Sequence, residues 1–337
     1  MATVLVLGGS GQMGRPIARR LVADGYDVTV AARSVSPPDM DDLHYVTCDR
    51  DAPGELAALV GDGFDVLVDI VTMTPAHAQQ IVDLGDRFGS VITTSTGAVY
   101  RDDAGNSLIS ARTTGIFPDF PLPITESQPL VEPDDETYSG RKVAIEQILA
   151  AGPAPATFLR VAAYHGTHTR HAREWFFAQR VRDGRKVVIL ANGGDTIFNT
   201  TSPENLAEMV ACAANNPGRG AFNCADTDPP TAREIGRIVA GHLGYAFTEV
   251  LLAGEAVGPV GASPWNVPRP FVLDTTKAQR ELGYTPQTTY AASVPTTVDW
   301  LMHALEGKTW REVLTGSPYL ETMFDYDAED AFLTGLA

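Results

Sequence analysis

In the stretch ETYSGRKVAIEQ, Tyr138 and Lys142 stand four residues apart. On a helix that spacing places a phenol and an ammonium on one face, a turn apart. A weak acid beside a cation is a candidate for proton transfer. The same spacing also arises on solvated helix faces, so the elements around the pair must decide.

Those elements alternate. TVLVLGG, DVTVAA, LHYVTCD, FDVLVDIV and SVITTST read as short apolar strands, with RPIARRLVADG, GELAALVGDG and HAQQIVDLGDRFG as the helices between them. Strand and helix in turn imply parallel pairing through right-handed crossovers, and strands apolar throughout imply a sheet covered on both faces. The expectation is an α/β protein with a Rossmann-type doubly wound parallel sheet and a smaller C-terminal α/β substrate lobe. The dinucleotide-binding domain is expected over 1–165, interrupted by an insertion at 101–137 rich in Asp, Gly and Pro that reads as a lid or as a surface loop without a role. A buried strand, ATFLRVAAY, should extend the sheet. Residues 166–305, with REWFFAQRVRDG, KVVILANGG, PENLAEMVACAAN, GAFNCAD, TAREIGRIVAGHLG and KAQRELGY, should form mainly the substrate lobe, with a return of the chain to the sheet left open. The tail 306–337 carries no readable role. The strand SVITTST delivers Thr96 to the carboxyl edge of the sheet, where α/β folds keep their ligands.

The first strand runs into Gly8-Gly9-Ser10-Gly11-Gln12-Met13-Gly14 and then a helix. Glycine permits the tight turn and lets a pyrophosphate approach the free N–H groups at the helix N-terminus, so a dinucleotide is expected against Gly8, Ser10, Gly11, Gln12, Met13 and Gly14. At the end of the second strand an acid would select NAD by binding the ribose hydroxyls. Here the sequence reads Ala32-Arg33-Ser34, which favours the 2′-phosphate of NADP(H), with NAD(H) still possible. Asp49, closing the third strand, is placed to accept from the adenine amino group or to serve as an ordinary strand-end cap. Ile70 and Val71, closing the fourth, are assigned to the same cofactor site.

GGSGQMG, TSTGAVY, YSGRK, LRVAAYHG, FNCADTDPPTAREIGRIVA and DTTKAQRELGYTP follow one another from Val4 to about Pro286. In these segments the chain resembles the extended short-chain dehydrogenase/reductase superfamily, the group of the NAD-dependent epimerase/dehydratases. The resemblance implies that Tyr138 is the acid/base, that Lys142 holds the nicotinamide ribose, and that Thr96, four residues before Tyr100, holds the reacting oxygen. The types suit the roles: an unperturbed phenol with a pKa near 10 is a poor base at neutral pH unless a cation lowers it, and it can donate a proton as hydride reaches a carbonyl carbon.

Nucleotide-sugar members of the family usually carry an Asn after the LR strand and an Arg in a later segment. This chain has Ala162 and Ala163 at the first place and no Arg between Asn192 and Asn205, although Arg170, Arg173 or Arg269 could replace them. The expectation is hydride transfer between NADP(H) and a smaller alcohol or carbonyl compound, a small or sugar-like substrate. A nucleotide-sugar epimerase or dehydratase holding NAD(P) tightly is the alternative. A non-catalytic NADP-binding or RNA-binding regulatory protein is the alternative of another class. Tyr164, His165 and Trp175 are assigned to the substrate space. His165, His168 and His171 recur at three-residue steps but lack an acidic or Cys companion, and no metal is expected.

With 25 basic residues against 42 acidic ones, a formal charge of −17 argues against a nucleic-acid partner. No apolar run reaches a membrane span, and the three scattered cysteines suggest neither a disulfide framework nor a metal knuckle. A cytoplasmic protein, a homodimer or a monomer, with a small-molecule substrate is expected.

Overall fold

β-Branched and leucine-rich runs become strands because both of their faces find apolar cover. The structure, a computed structural model, describes residues 1–34 and 43–336. Its strands β1 (Thr3–Leu7), β2 (Asp27–Ala32), β3 (His44–Thr47), β4 (Phe64–Asp69), β5 (Phe88–Thr96) and β6 (Ala156–Val161), with the later strand Gly220–Cys224, form a seven-stranded sheet. The order is Gly220–Cys224, β6, β5, β4, β1, β2, β3, and every neighbouring pair is parallel. This is the doubly wound arrangement expected from the alternating pattern.

Period-two alternation sends successive side chains of β1 to opposite faces. Val4 and Val6 pack with Ile17 and Leu21 of helix α1 (Gly14–Ala23) and with Leu206, Met209 and Val210 of the helix Pro203–Asn215. Leu5 and Leu7 pack on the other side with α2 (Glu55–Val60), α3 (Pro75–Asp83) and α5 (Tyr138–Ala150), through Leu56, Ile81, Ile145 and Leu149. Each fully buried aliphatic side chain contributes about 1.5–3 kcal/mol.

The chain divides into two units that interleave along the sequence. The first comprises Met1–Tyr164, Pro203–Thr227 and Leu273–Gln287. The second comprises His165–Ser202, Asp228–Val272 and Thr288–Ala337. PENLAEMVACAAN, GAFNCAD and KAQRELGY, expected in the lobe, therefore lie in the first unit. The reason is burial: Phe222 and Cys224 of the returning strand and Ala278 and Leu282 of the helix Thr276–Leu282 complete the core on the α1 side.

The insertion 101–137 holds one helical turn, α4 (Ala111–Thr114), and is tied to the first unit. Ile124, fully buried, bridges to Leu273, and Val131 N–H donates to the Val99 carbonyl at 2.8 Å.

The second unit pairs Val187–Leu190 in parallel with Thr248–Leu251 among the helices Trp175–Arg182, Ala232–His242 and Tyr290–Ala304. Its tail ends in the helix Tyr326–Leu336. Buried Arg180 donates to Glu329 Oε1 at 2.5 Å and to the carbonyls of Phe176 and Met323, which fastens that helix. No helix among the described residues is long and apolar enough to cross a membrane.

Leu159 of β6 is 0% exposed, and Leu159→Ala should cost about 2–5 kcal/mol in denaturant unfolding. Val257, 65% exposed, should tolerate Ala within about 0.5 kcal/mol.

Candidate active site

Helix α5 starts where three local bonds force it to start. The Asp134 carboxylate accepts from the backbone N–H groups of Glu136 and Thr137 and from the Thr137 hydroxyl. Thr137 in turn caps α5 by accepting from Gly140 N–H at 3.0 Å. A side chain at position 140 would run into the Asp134 carboxylate, so the glycine of YSGRK belongs to the cap. One residue into the helix, the Ser139 hydroxyl donates to the Ala98 carbonyl at 2.8 Å and ties α5 to the turn Gly97–Val99 after β5.

That tie brings Tyr138 to Thr96. The Tyr138 hydroxyl interacts with the Thr96 side chain, whose oxygen accepts from Ala98 N–H at 3.2 Å. Tyr138 keeps 38% of its surface open, as a group meeting a ligand must. Desolvation around its hydroxyl nevertheless raises its pKa, outweighing the interaction with Thr96 and the Arg141 charge, both of which lower it. The phenol is therefore neutral at ordinary pH.

Lys142 is buried at 3% exposure, and its Nζ donates to the carbonyl oxygens of Thr72 at 2.8 Å and Thr94 at 2.9 Å. A lysine ammonium and an oxidised nicotinamide beside the phenol would favour the phenolate. In the structure the ammonium is engaged by the ends of the β4 and β5 segments, and the charge acting on Tyr138 is that of Arg141. Burial lowers the Lys142 pKa to about 8, against the attraction of Asp69 and Glu146, which raises it.

Asp69 and Arg50 were not singled out from the sequence. Buried Asp69 accepts from Arg50 Nη1 at 2.5 Å and from Val71 N–H at 2.9 Å. Arg50 also donates to the His77 carbonyl and to Gln80, which joins the segment after β3 to α3. A charged residue beside a buried strand end was the available signal.

The glycine turn is built for close approach. Gly8 has φ +85°, and a Cβ there would meet Val71 Cγ1 at 2.6 Å and Ile70 Cγ1 at 3.0 Å. Ile70 and Val71 thus lie beside the turn with which they were grouped. A Cβ on Gly14 would strike the Gly8–Gly9 backbone, so this glycine lets α1 pack against the loop. Helix α1, with Met13 at its N-cap position, has no side-chain cap and no acid in its first turn, and the Gln12 side-chain oxygen is buried without a partner. An open dipole end suits a diphosphate, so the residues present fit a dinucleotide.

Ser10 donates to the Ser34 carbonyl at 3.4 Å, which joins the loop to the end of β2, where Arg33 and Ser34 are exposed. Asp49 accepts from Asp51 N–H at 3.1 Å, and its own N–H is taken by Glu55. Tyr164 is buried and donates to the Gln12 carbonyl at 2.9 Å, so it braces the cofactor loop.

His165 and Trp175 lie in the second unit, at 1% and 0% exposure. The His165 ring nitrogens bond Thr297 at 3.2 Å and Ser202 at 3.1 Å, and Trp175 packs in the core. Neither presents surface to a ligand in this structure. Arg173 lies over the rings of Phe198 and Trp265. His168 packs beside Trp300, and His171 has its pKa lowered first by desolvation. Among the described residues no group of His, Cys, Asp and Glu could hold a metal ion.

Sheet, glycine turn and uncapped helix together define a Rossmann-type dinucleotide-binding protein. The sequence profile of the NAD dependent epimerase/dehydratase family matches residues 4–225, more than half of the chain, and the chain belongs to that family of enzymes. It is 26% identical over 323 residues to a 4-hydroxy-2-methyl-3-oxo-4-farnesyl-3,4-dihydroquinoline-1-oxide ketoreductase of Stigmatella aurantiaca, covering 85% of this chain and 92% of that protein. Among solved structures it is similar in fold to WbmH of Bordetella bronchiseptica in complex with NAD+, with a TM-score of 0.69 and 18% identity, covering 89% of this chain and 98% of that one. UDP-N-acetylglucosamine 4-epimerase of Bacillus cereus gives a TM-score of 0.68 and 17% identity over 92% of this chain and 99% of that one.

The Lys142 pKa has a consequence for stability. The unfolded chain keeps this proton up to its ordinary pKa of 10.5, whereas the folded chain releases it near 8. Between those values the unfolded state binds more protons, so the Lys142 contribution to stability rises with pH across that window. Below it, the cost of burying the charge is fully present. Urea unfolding at a series of pH values should therefore show wild type gaining on Lys142→Met, by at most about 3 kcal/mol across the window.

Proposed function

We propose that this chain is an NADP(H)-linked reductase of a ketone-type carbonyl compound, with Tyr138 as proton donor. The observation that carries the reading is the Tyr138 hydroxyl, partly open to solvent and set against Thr96 at the carboxyl edge of the sheet, where desolvation favours its protonated form. Arg33 and Ser34, exposed at the end of β2 where an acid would select NAD, support the phosphorylated cofactor. Similarity to a ketoreductase supports reduction, and the absence of the usual diphosphate-gripping Asn and Arg argues against a sugar nucleotide.

On this reading a bound dihydronicotinamide supplies the hydride to the carbonyl carbon. Tyr138 donates its phenolic proton to the carbonyl oxygen as charge builds there, and Thr96 hydrogen-bonds the same oxygen and fixes its approach. Lys142, already carrying two carbonyl bonds, has a third N–H with which to hold the ribose. The turn from Gly8 to Gly14 and the N-terminus of α1 receive the diphosphate, with Asp49, Ile70 and Val71 around the adenine and nicotinamide ends.

Purified protein should oxidise NADPH in the presence of cyclic or aryl ketones. Tyr138→Phe should lower kcat by about 10²–10⁴ while cofactor binding, read by NADPH fluorescence, holds. Wild-type turnover by Tyr138→Phe, or interconversion of UDP- or TDP-hexoses on tightly retained NAD without net NADPH use, would replace this reading.

The cofactor preference is tested separately. Arg33→Ala should weaken NADPH roughly tenfold, the loss of one charge-assisted contact of about 1.5 kcal/mol, and leave NADH unchanged. Tighter binding of NADH by the wild type would overturn the preference.

A further inference from the structure

The catalytic helix carries a third polar residue on the face of Tyr138 and Lys142. Glu146 lies one more turn along and is 6% exposed. Its Oε1 accepts from the Ser95 hydroxyl at 2.5 Å and from Arg160 Nε at 3.1 Å, and its Oε2 accepts from Arg160 Nη2 at 2.6 Å. Ser95 and Arg160 are register partners on β5 and β6, and Asn223 is the partner of Arg160 on the next strand. Arg160 Nη1 donates to the Tyr100 hydroxyl at 3.1 Å, and Tyr100 donates to Asn223 Oδ1 at 2.6 Å. Asn223 Nδ2 closes the chain on the carbonyls of Ile124 and Asp274, and its N–H on Glu126.

A polar row therefore crosses three strands one residue short of Thr96 and is gripped from above by α5. Such a row costs desolvation that an apolar contact would not, so stability alone is a poor account of it. It does, however, allow only one register of α5 against β5: a slide of the helix would unpair a buried carboxylate and a buried guanidinium together. We propose that Glu146, through Ser95 and Arg160, is a positioning residue that holds Tyr138 against Thr96 and Lys142 against the Thr94 carbonyl, and that the same row ties the insertion, through Ile124 and Glu126, to this register. The proposal rests on the reading of Tyr138 as proton donor.

The test separates stability from positioning. In Glu146→Met/Arg160→Met both charges go and similar volume remains, so the fold should melt close to wild type. Its kcat should fall about 10- to 100-fold with KM within about twofold, because a displacement of about 1 Å at a reacting group costs that much. Ser95→Ala, which keeps the ion pair but frees it from β5, should lower kcat about fivefold, also without a change in KM. In Glu146→Gln the carboxylate that raises the Lys142 pKa is gone, and the pH at which stability begins to rise should move below about 8. A double variant with wild-type melting and wild-type kcat would overturn the proposal. Should the wild type itself turn over no carbonyl compound, only the reading of the activity fails. Hydrogen exchange then decides the positioning: amides of α5 should exchange at least about tenfold faster in the double variant despite its unchanged melting, and unchanged exchange there would overturn it.

Discussion

An ammonium taken out of water must be given acceptors, and in this protein Lys142 takes them from the backbone. Its Nζ bonds the carbonyls of Thr72 and Thr94, one after β4 and one near the end of β5. One of these carbonyls belongs to the segment after β4 and the other to β5 itself. This buried charge is one of the ties between α5 and the strands, beside the Glu146 bonds to Ser95 and Arg160. The cap at Thr137, the Ser139 bond to Ala98 and the meeting of Tyr138 with Thr96 are all compatible with the same placement of α5.

The cofactor side follows an opposite logic. There α1 starts without a side-chain cap, and glycine at positions 8, 9 and 14 lets the turn pack against Ile70, Val71, Val30 and its own backbone where a Cβ would collide. A protein with a formal charge of −17 repels anions at long range. Attraction for a diphosphate must come from short-range N–H groups and the dipole at the end of α1, which salt and net charge affect little once a ligand is seated. Tyr164, donating to the Gln12 carbonyl, holds that loop open from below.

Much of this was legible before any coordinates. The strand pattern, the glycine turn and the spacing of Tyr138 and Lys142 are local signals, and local signals survive into the fold because the apolar period and the turn chemistry agree with it. What was illegible is long-range pairing between charges and strands. Arg160 stands in ATFLRVAAY as one charge in an apolar run, and nothing in the spacing says that Glu146 and Ser95 are waiting for it. Arg180 and Glu329 are 149 residues apart, so the tail looked idle although it is pinned by a buried ion pair. The return of the chain to the sheet was left open, and which strand returns was not assigned for a related reason: an apolar strand does not announce which of two cores it completes. His165 and Trp175 misled in the other direction, since an aromatic stripe after a strand reads equally as pocket or as core, and here burial decides for core.

The sequence left the state of the proton open. A lysine and an oxidised nicotinamide near a tyrosine favour a phenolate, and the neutral phenol can equally donate. With Lys142 occupied by two carbonyls, desolvation dominates and the phenol keeps its proton. Arg141, whose Nη1 donates to the carbonyls of Asp135 and Glu136, is the charge that works against it, and its effect is smaller than that of desolvation. On the proposed reading the resting protein is thus set up as an acid toward an incoming carbonyl. Running it as a base requires an added positive charge beside Tyr138, such as an oxidised nicotinamide would bring. The direction of hydride transfer and the protonation state of the phenol are then coupled: the reduced cofactor meets a proton donor, and the oxidised one favours the phenolate that removal of an alcohol proton needs.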